Sequence, residues 1–67
     1  MKKVVITTIT GIDIELTAND DSAVTFLTQF ADHNSRAGIR ATNEHGILAN
    51  HWFNFENIVS IYTCDAE

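Results

Sequence analysis

The feature that most constrains this chain is that several strand-like segments carry apolar residues on both sides. Residues 12–17 alternate apolar with polar side chains, which is typical of a strand with one solvent-facing side. Residues 4–6, 52–55 and 58–62 do not alternate in this way. A domain of 67 residues buries only about 60% of its unfolded surface, enough for one sheet face and one cover. We therefore expect a surplus apolar surface that contacts a second copy or another protein.

Length and composition predict one globular domain over residues 1–67. Hydrophobic residues make up 45% of the chain, too many for a disordered segment. No apolar run approaches the roughly 18 residues that a membrane crossing needs, and the first residues lack the pattern of a signal peptide. Cys64 is the single cysteine, so no internal disulfide can form. We expect a cytoplasmic protein with no cofactor and no membrane contact.

The charge of the chain makes nucleic acid an unexpected partner. The formal net charge is −5, and an acidic surface repels the phosphate backbone. All four cations stand in two pairs, Lys2 with Lys3 and Arg36 with Arg40. The acids can be read as ordinary solubility charge, or as a surface that imitates nucleic acid or docks on a basic partner.

The pattern predicts five strands and one helix in the order β-β-α-β-β-β. Four N-cap candidates at 19–22 precede apolar residues with helical spacing, which indicates a helix over 20–33. Asn34 is expected to take the left-handed conformation that ends it. Residues 24–28 are also good strand formers, so strand remains an alternative there. Strands are predicted over 3–9 and 12–17, where threonine, valine and isoleucine suit strands and residues 10–11 supply the turn. Three further strands are predicted over 37–43, 47–53 and 58–64.

The predicted fold is a small α+β domain with one antiparallel sheet of about five strands and the helix on one face. The N-terminal hairpin and a meander of the last three strands form this sheet. The uncovered face or an exposed edge strand is expected to join the chain into a homodimer or larger assembly. The core is predicted to contain these apolar side chains: Val4 or Val5, Ile6, Ile12, Ile14, Leu16, Phe26, Leu27, Phe30, Ile39, Val59 and Ile61.

Neither a metal site nor a catalytic site is predicted. The three histidines, His33, His45 and His51, lack the spacing that places two imidazoles on one metal ion. Cys64 and a histidine could form a nucleophile and its base. That cysteine stands at the end of a strand, however, with no glycine-rich turn or helix start to activate its thiol. We therefore expect a protein that is not an enzyme.

Arg36 and Arg40 form the first candidate binding site. They have the same parity on the third strand, so their side chains leave the same sheet face with Gly38 between them. The gap between two guanidinium groups suits a carboxylate, a phosphate or a base edge. The alternative is that both arginines pair with surface acids such as Glu44 or Asp32.

His51, Trp52 and Phe53 form the second candidate binding site. Neighbouring side chains of a strand face opposite ways, so Trp52 or Phe53 must point away from the helix-covered core. Exposed aromatic side chains beside histidine and asparagine have the composition of an interface. The alternative is that this hairpin curls and buries both. We interpret one of them as a surface for self-association or for a partner.

Residues 29–35 (Gln-Phe-Ala-Asp-His-Asn-Ser) and 39–40 (Ile-Arg) resemble a stretch of the trp RNA-binding attenuation protein family. Members of that family form all-β rings that bind tryptophan and RNA. The resemblance requires strand where the apolar spacing indicates helix, and Gly38 stands where the family has a lysine. The resemblance implies that Thr17, Gln29 and Ser35 contact the ligand. It implies that Arg40 contacts RNA.

Two functions are consistent with these patterns. The first is a small, non-enzymatic, homo-oligomeric binding or regulatory protein that acts through a protein partner, as prokaryotic and phage accessory proteins do. The alternative is an oligomeric regulator that binds a small anionic ligand or RNA through Arg36 and Arg40. Replacing both arginines with alanine is expected to abolish binding only in the second case.

Overall fold

The computed structural model describes residues 1–66 and contains one antiparallel sheet and one α-helix. The strands are β1 (Lys2–Thr8), β2 (Asp13–Ala18), β3 (Arg36–Thr42), β4 (Leu48–Asn54) and β5 (Ile58–Asp65), and the helix is α1 (Asp20–Ala31). A short 3-10 helix, Phe55–Asn57, joins β4 to β5. The order β-β-α-β-β-β confirms the predicted α+β fold class. No helix in this part of the chain has the length and hydrophobicity of a membrane-crossing helix.

The strands lie in the order β4-β3-β2-β1-β5, so the predicted meander of the last three strands is wrong. β5 pairs with β1 rather than with β4. β1 is suited to this interior place between β2 and β5 because Val4 and Val5 are apolar on opposite faces, and both are buried. β2 and β3 share one paired position, Thr17 opposite Thr42, so β3 and β4 continue beyond the end of β2.

The sheet is strongly curved, because its two edge strands are joined by the 3-10 helix. In a flat sheet β4 and β5 would lie about 19 Å apart, four strand spacings. Three residues of 3-10 helix rise only about 2 Å each, so the edges must approach each other. The end of this connection is tied to the first hairpin, since Ile9 N donates to Asn57 O at 2.9 Å. We call the concave, helix-covered side the inner face and the opposite side the outer face.

The inner face holds most of the core, which largely agrees with the predicted set. The buried cluster comprises Val4, Ile6, Leu16, Ala18, Ala23, Phe26, Ala37, Ile39, Ala41 and Phe55, and Ile14, Phe30 and Ile61 pack against it partly buried. Leu27, also predicted in the core, is only half-buried and lies outside this cluster. Two further predicted core residues are exposed. Ile12 is 61% exposed in the turn before β2, and Val59 is 63% exposed. Val59 points outward because a register shift opposite Thr7 and Thr8 leaves it as the extra residue of β5.

Helix α1 begins where the sequence predicts and ends two residues earlier. Asn19 is the N-cap, and its Oδ1 accepts a hydrogen bond from Ser22 N at 2.7 Å. The prediction that Asn34 takes the left-handed conformation is wrong, because His33 takes it with φ 61°. Asn34 N instead closes the helix end by donating to Gln29 O at 3.2 Å.

Four phenylalanine rings connect the helix to β4 and the 3-10 helix. Phe26 meets Phe53 and Phe55 edge-on, with ring centroids 5.6 and 5.4 Å apart. Phe30 meets Phe55 in the same way at 5.2 Å. Edge-to-face pairs at these distances stabilise a core beyond the area that they bury. This cluster fixes where the β3–β4 hairpin sits relative to α1.

We expect Lys2→Met to raise the pKa of Asp65 towards its ordinary value of 3.8. The hydrogen bond from Lys2, and then its positive charge, hold the pKa of Asp65 low and that of Lys2 high. Any stability from Asp65 is therefore present above its unfolded-state pKa and lost as the pH falls through its lower folded-state pKa. Any stability from Lys2 is present below its unfolded-state pKa and lost as the pH rises through its raised folded-state pKa.

NMR titration of the Asp65 carboxyl group measures this effect directly. Lys3→Met is the matched control, because Lys3 Nζ pairs with a different acid, Glu15, at 3.9 Å. The control should leave the pKa of Asp65 low. An Asp65 that titrates at its ordinary value in the unmodified protein would contradict the ion pair.

Candidate binding site on the outer face of β3 and β4

The β3–β4 hairpin brings the two separately predicted sites together. Gly38 lies directly opposite Trp52, Arg36 opposite Asn54, and Arg40 opposite Asn50. Directly opposed residues of a ladder leave the same face of a sheet, and here that is the outer face, because Trp52 is 75% exposed. We call this surface the Arg–Trp face, made of six residues: Arg36, Gly38, Arg40, Asn50, Trp52 and Asn54.

Trp52 lies flat on Gly38. A Cβ placed on Gly38 would be 3.1 Å from Cδ2 and Cε2 of the indole and 3.2 Å from Cε3. Three ring atoms at nearly equal distance mean that the plane of the indole covers the glycine. Because Trp52 is also strongly exposed, the other face of the ring is open to solvent. Any side chain at position 38 would displace the ring, so the glycine is what creates this platform.

The two arginines keep their charges available. Four ion pairs occur within residues 1–66, and none includes an arginine. The alternative that Arg36 and Arg40 pair with Glu44 or Asp32 is therefore wrong for the described residues. The only side-chain hydrogen bond of either arginine there is to a neutral amide, from Arg40 Nη1 to Asn50 Oδ1 at 3.4 Å.

The lysines differ from the arginines in this respect. Lys2 and Lys3 are both engaged, with Asp65 and Glu15. The chain has four lysine and arginine residues. The two without a carboxylate partner among residues 1–66, Arg36 and Arg40, thus lie on one strand, beside the exposed indole. This arrangement concentrates the available positive charge of an acidic protein at one place.

An open groove of about 520 Å³ runs along this part of β3. Gln29 and Asn34 line its opposite wall with amide groups, from α1 and the loop that follows. The groove exists because residues 36–40 extend past the end of β2. Neither amide could be assigned to the site from sequence, because both reach it only through the packing of α1 against β3.

Main-chain groups of β3 also face the open side. Phe55 N donates to Ser35 O at 2.9 Å, and Asn43 N donates to Ile47 O at 3.0 Å, at the two ends of the β3–β4 ladder. Antiparallel ladders alternate, so the odd-numbered residues of β3 bond to β4. The N–H and C=O groups of Arg36, Gly38 and Arg40 therefore point away from β4, towards the groove.

His51 and Phe53 lie on the other side of β4. Phe53 is partly buried against the core and contacts Phe26, which agrees with the prediction that Trp52 and Phe53 face opposite ways. His51 is half-buried, and its Nε2 lies 3.3 Å from Ala41 O. Their side chains leave the face of β4 opposite to that of Trp52, so they are not part of the Arg–Trp face, although His51 also lines the groove along β3. A binding role for either residue stays a prediction.

The remaining reactive residues do not assemble. Cys64 is a free, exposed cysteine on β5, opposite Lys3 of β1. Among residues 1–66, no group of three or more His, Cys, Asp and Glu side chains is arranged to hold a metal ion. The Arg–Trp face is therefore the clearest cluster of binding chemistry in this part of the chain.

No protein-family model matches this chain, and no match was found among curated proteins or solved structures. The local resemblance of residues 29–35 to the trp RNA-binding attenuation protein family implied strand and an all-β fold. α1 extends over Asp20–Ala31, so the first three of these residues are helical and that implied fold is wrong. The function is accordingly inferred from the residues of the chain itself.

Proposed function

We propose that this chain is a small, non-enzymatic binding or regulatory protein of the cytoplasm that works as a homo-oligomer and acts on a protein partner. The observation that carries the proposal is that β5 is an edge strand whose free side pairs with no other strand of the sheet. This strand has eight residues, contains no proline or lysine, and carries one charge, at Asp65. Edge strands without charge, proline or cover pair readily with another strand.

The outward-facing groups of β5 follow from its ladder with β1. Ala66 N donates to Met1 O at 3.2 Å, and Tyr62 lies opposite Val5 in the same register. The even-numbered residues therefore bond to β1, and the N–H and C=O groups of Ile61 and Thr63 point outward. These groups are available to the same strand of a second copy.

A two-fold pair centred on Tyr62 fits this edge. Ile61 of each copy would then face Thr63 of the other, at a hydrogen-bonded position. The two Tyr62 side chains, which are exposed on the outer face, would meet at the close, non-hydrogen-bonded position. The two Asp65 carboxylates would lie at opposite ends, so the pairing places no like charges opposite each other.

We expect Thr63→Pro to convert a dimer into a folded monomer. Proline removes an N–H that points outward and leaves the β1–β5 ladder intact. Tyr62→Pro is the contrasting variant, because it removes a hydrogen bond within the β1–β5 ladder and should destabilise the fold itself. Native mass spectrometry reports the subunit number, and far-UV circular dichroism reports the fold. A monomeric parent protein, or a Thr63→Pro variant that stays dimeric, would contradict the β5 pairing.

A second candidate function is an oligomeric regulator that binds a small anion or RNA. The specific observation in its favour is that Arg36 and Arg40 have no carboxylate partner within residues 1–66 and flank an exposed indole. Arg36→Ala/Arg40→Ala should abolish this binding and leave capture of a protein partner nearly intact. Lys2→Ala/Lys3→Ala removes the same charge elsewhere and is the matched control. Equal losses in both double variants would indicate a general charge effect instead of a site.

A further inference from the structure

We propose that the Arg–Trp face is a nucleotide site, in which a base stacks on Trp52 and phosphates bind Arg36 and Arg40. This inference rests on the second candidate function and names its ligand class. The ligand is either a free nucleotide or one nucleotide of a single strand, which share the same chemistry. The elements of the site are a flat aromatic surface, two available guanidinium groups and a groove lined with amides.

The indole provides the surface for the base. One of its faces covers Gly38, and the opposite face is open to solvent. Stacking of a base on such a ring requires no particular sequence, because every base has a π-face. A carboxylate ligand would use the arginines but would leave this exposed ring without a role. The flat indole therefore favours a ligand that is both planar and anionic.

The arginines provide the phosphate contacts. Arg36 and Arg40 stand two residues before and two residues after Gly38, so each Cα lies about 6.6 Å from that of the glycine along the strand. The two arginine side chains thus start from opposite sides of the glycine that carries the ring. In a single strand, the phosphates on the 5′ and 3′ sides of the stacked base would each reach one arginine, whereas the single phosphate of a mononucleotide would reach only one of them. Guanidinium binds phosphate through two parallel hydrogen bonds.

The groove provides polar groups for the edge of the base. Gln29, Asn34 and Asn50 line it with amides that can both donate and accept. Its volume of about 520 Å³ lies within the range of small-molecule sites, about 300–1,000 Å³.

The acidity of the protein limits the length of the ligand rather than opposing the site. The net charge of −5 disfavours a long duplex, whose many phosphates would meet the rest of the surface. Two carboxylates border the site, since Asp21 lines a cavity with Arg40 and Glu56 lines one with Arg36. Both stand outside ion-pair distance of the arginines. A short single strand or a mononucleotide meets only the local charges of the Arg–Trp face.

Tryptophan fluorescence tests the proposal directly, because Trp52 is the only tryptophan in the chain. We expect saturable quenching by hexauridylate or by uridine monophosphate at low salt. Arg36→Ala and Arg40→Ala should each weaken the affinity for hexauridylate by about tenfold. For uridine monophosphate, which has a single phosphate, only one of the two variants should show that loss. Lys2→Ala/Lys3→Ala should leave both affinities nearly unchanged. For a single strand held by two phosphates, the slope of log affinity against log salt concentration should be about −1.4, and half of that in each arginine variant.

The choice of probes distinguishes a free nucleotide from a single strand as the ligand. It also shows which result would overturn the proposal. If only the mononucleotide quenches the fluorescence, the ligand is a free nucleotide. If hexauridylate quenches it more strongly, the ligand is a single strand. Either result supports the site. No quenching by either probe overturns it. Equal binding of hexaglutamate also overturns it and retains the anion-binding candidate with a carboxylate ligand. Thr63→Pro should bind as the parent protein does, so failure of the β5 pairing stays distinguishable from failure of this site.

Discussion

Phe26→Ala should lower the free energy of unfolding by about 3–5 kcal/mol at 25 °C. Phe26 is 1% exposed and contacts rings on both β4 and the 3-10 helix. Replacing a buried phenylalanine with alanine costs about 3–5 kcal/mol, because the surrounding structure only partly fills the cavity. For a chain of 67 residues, the total stability is about 3–10 kcal/mol. The substitution therefore removes much or all of it.

Urea denaturation followed by circular dichroism measures this loss. Val24→Ala is the matched control, since it truncates a residue of the same helix that is 61% exposed. The control should change the free energy of unfolding by no more than about 0.5 kcal/mol. A Phe26→Ala variant with the midpoint of its parent would contradict the central place of this ring in the core.

The helix and its inner side could be predicted because their signals are local. The capping residue Asn19 stands next to the first turn, and the spacing of Phe26 and Phe30 marks one side of the helix. Burial of Leu16 and Ile39 followed from their alternation with polar neighbours. The order of the strands could not be predicted in this way. Pairing of β5 with β1 joins residues nearly sixty positions apart, such as Val5 and Tyr62, and no short segment encodes it.

The errors in the predicted core have the same origin. Ile12 continues the alternation of β2 but precedes the first paired residue, Asp13. Val59 lies within an apolar run, and its outward direction depends on the register shift opposite Thr7 and Thr8.

Only half of the candidate binding site could be predicted from the sequence. A hairpin turning near residue 45 already places Gly38 opposite Trp52, whereas the amides of the groove depend on how α1 packs.

Phe55→Ala should lower the free energy of unfolding by about 3 kcal/mol and leave a smaller folded population. Phe55 is buried in the 3-10 helix that joins the two edge strands. Its ring contacts Phe26 and Phe30 of α1, so it ties the curved sheet to the helix. Phe55→Leu keeps an apolar side chain of similar reach and should cost clearly less.

A double-mutant cycle with Phe30→Ala separates ring contact from simple burial. The rings of Phe30 and Phe55 meet edge-on with centroids 5.2 Å apart, and such pairs contribute about 0.5–1.5 kcal/mol beyond the area that they bury. The sum of the losses in unfolding free energy of the two single variants should therefore exceed the loss of the double variant by about that amount. Additive losses would mean that the contact between these two rings contributes nothing beyond the area that each buries. The coupling between α1 and the 3-10 helix would then rest on the pair Phe26 and Phe55, whose rings also meet edge-on at 5.4 Å.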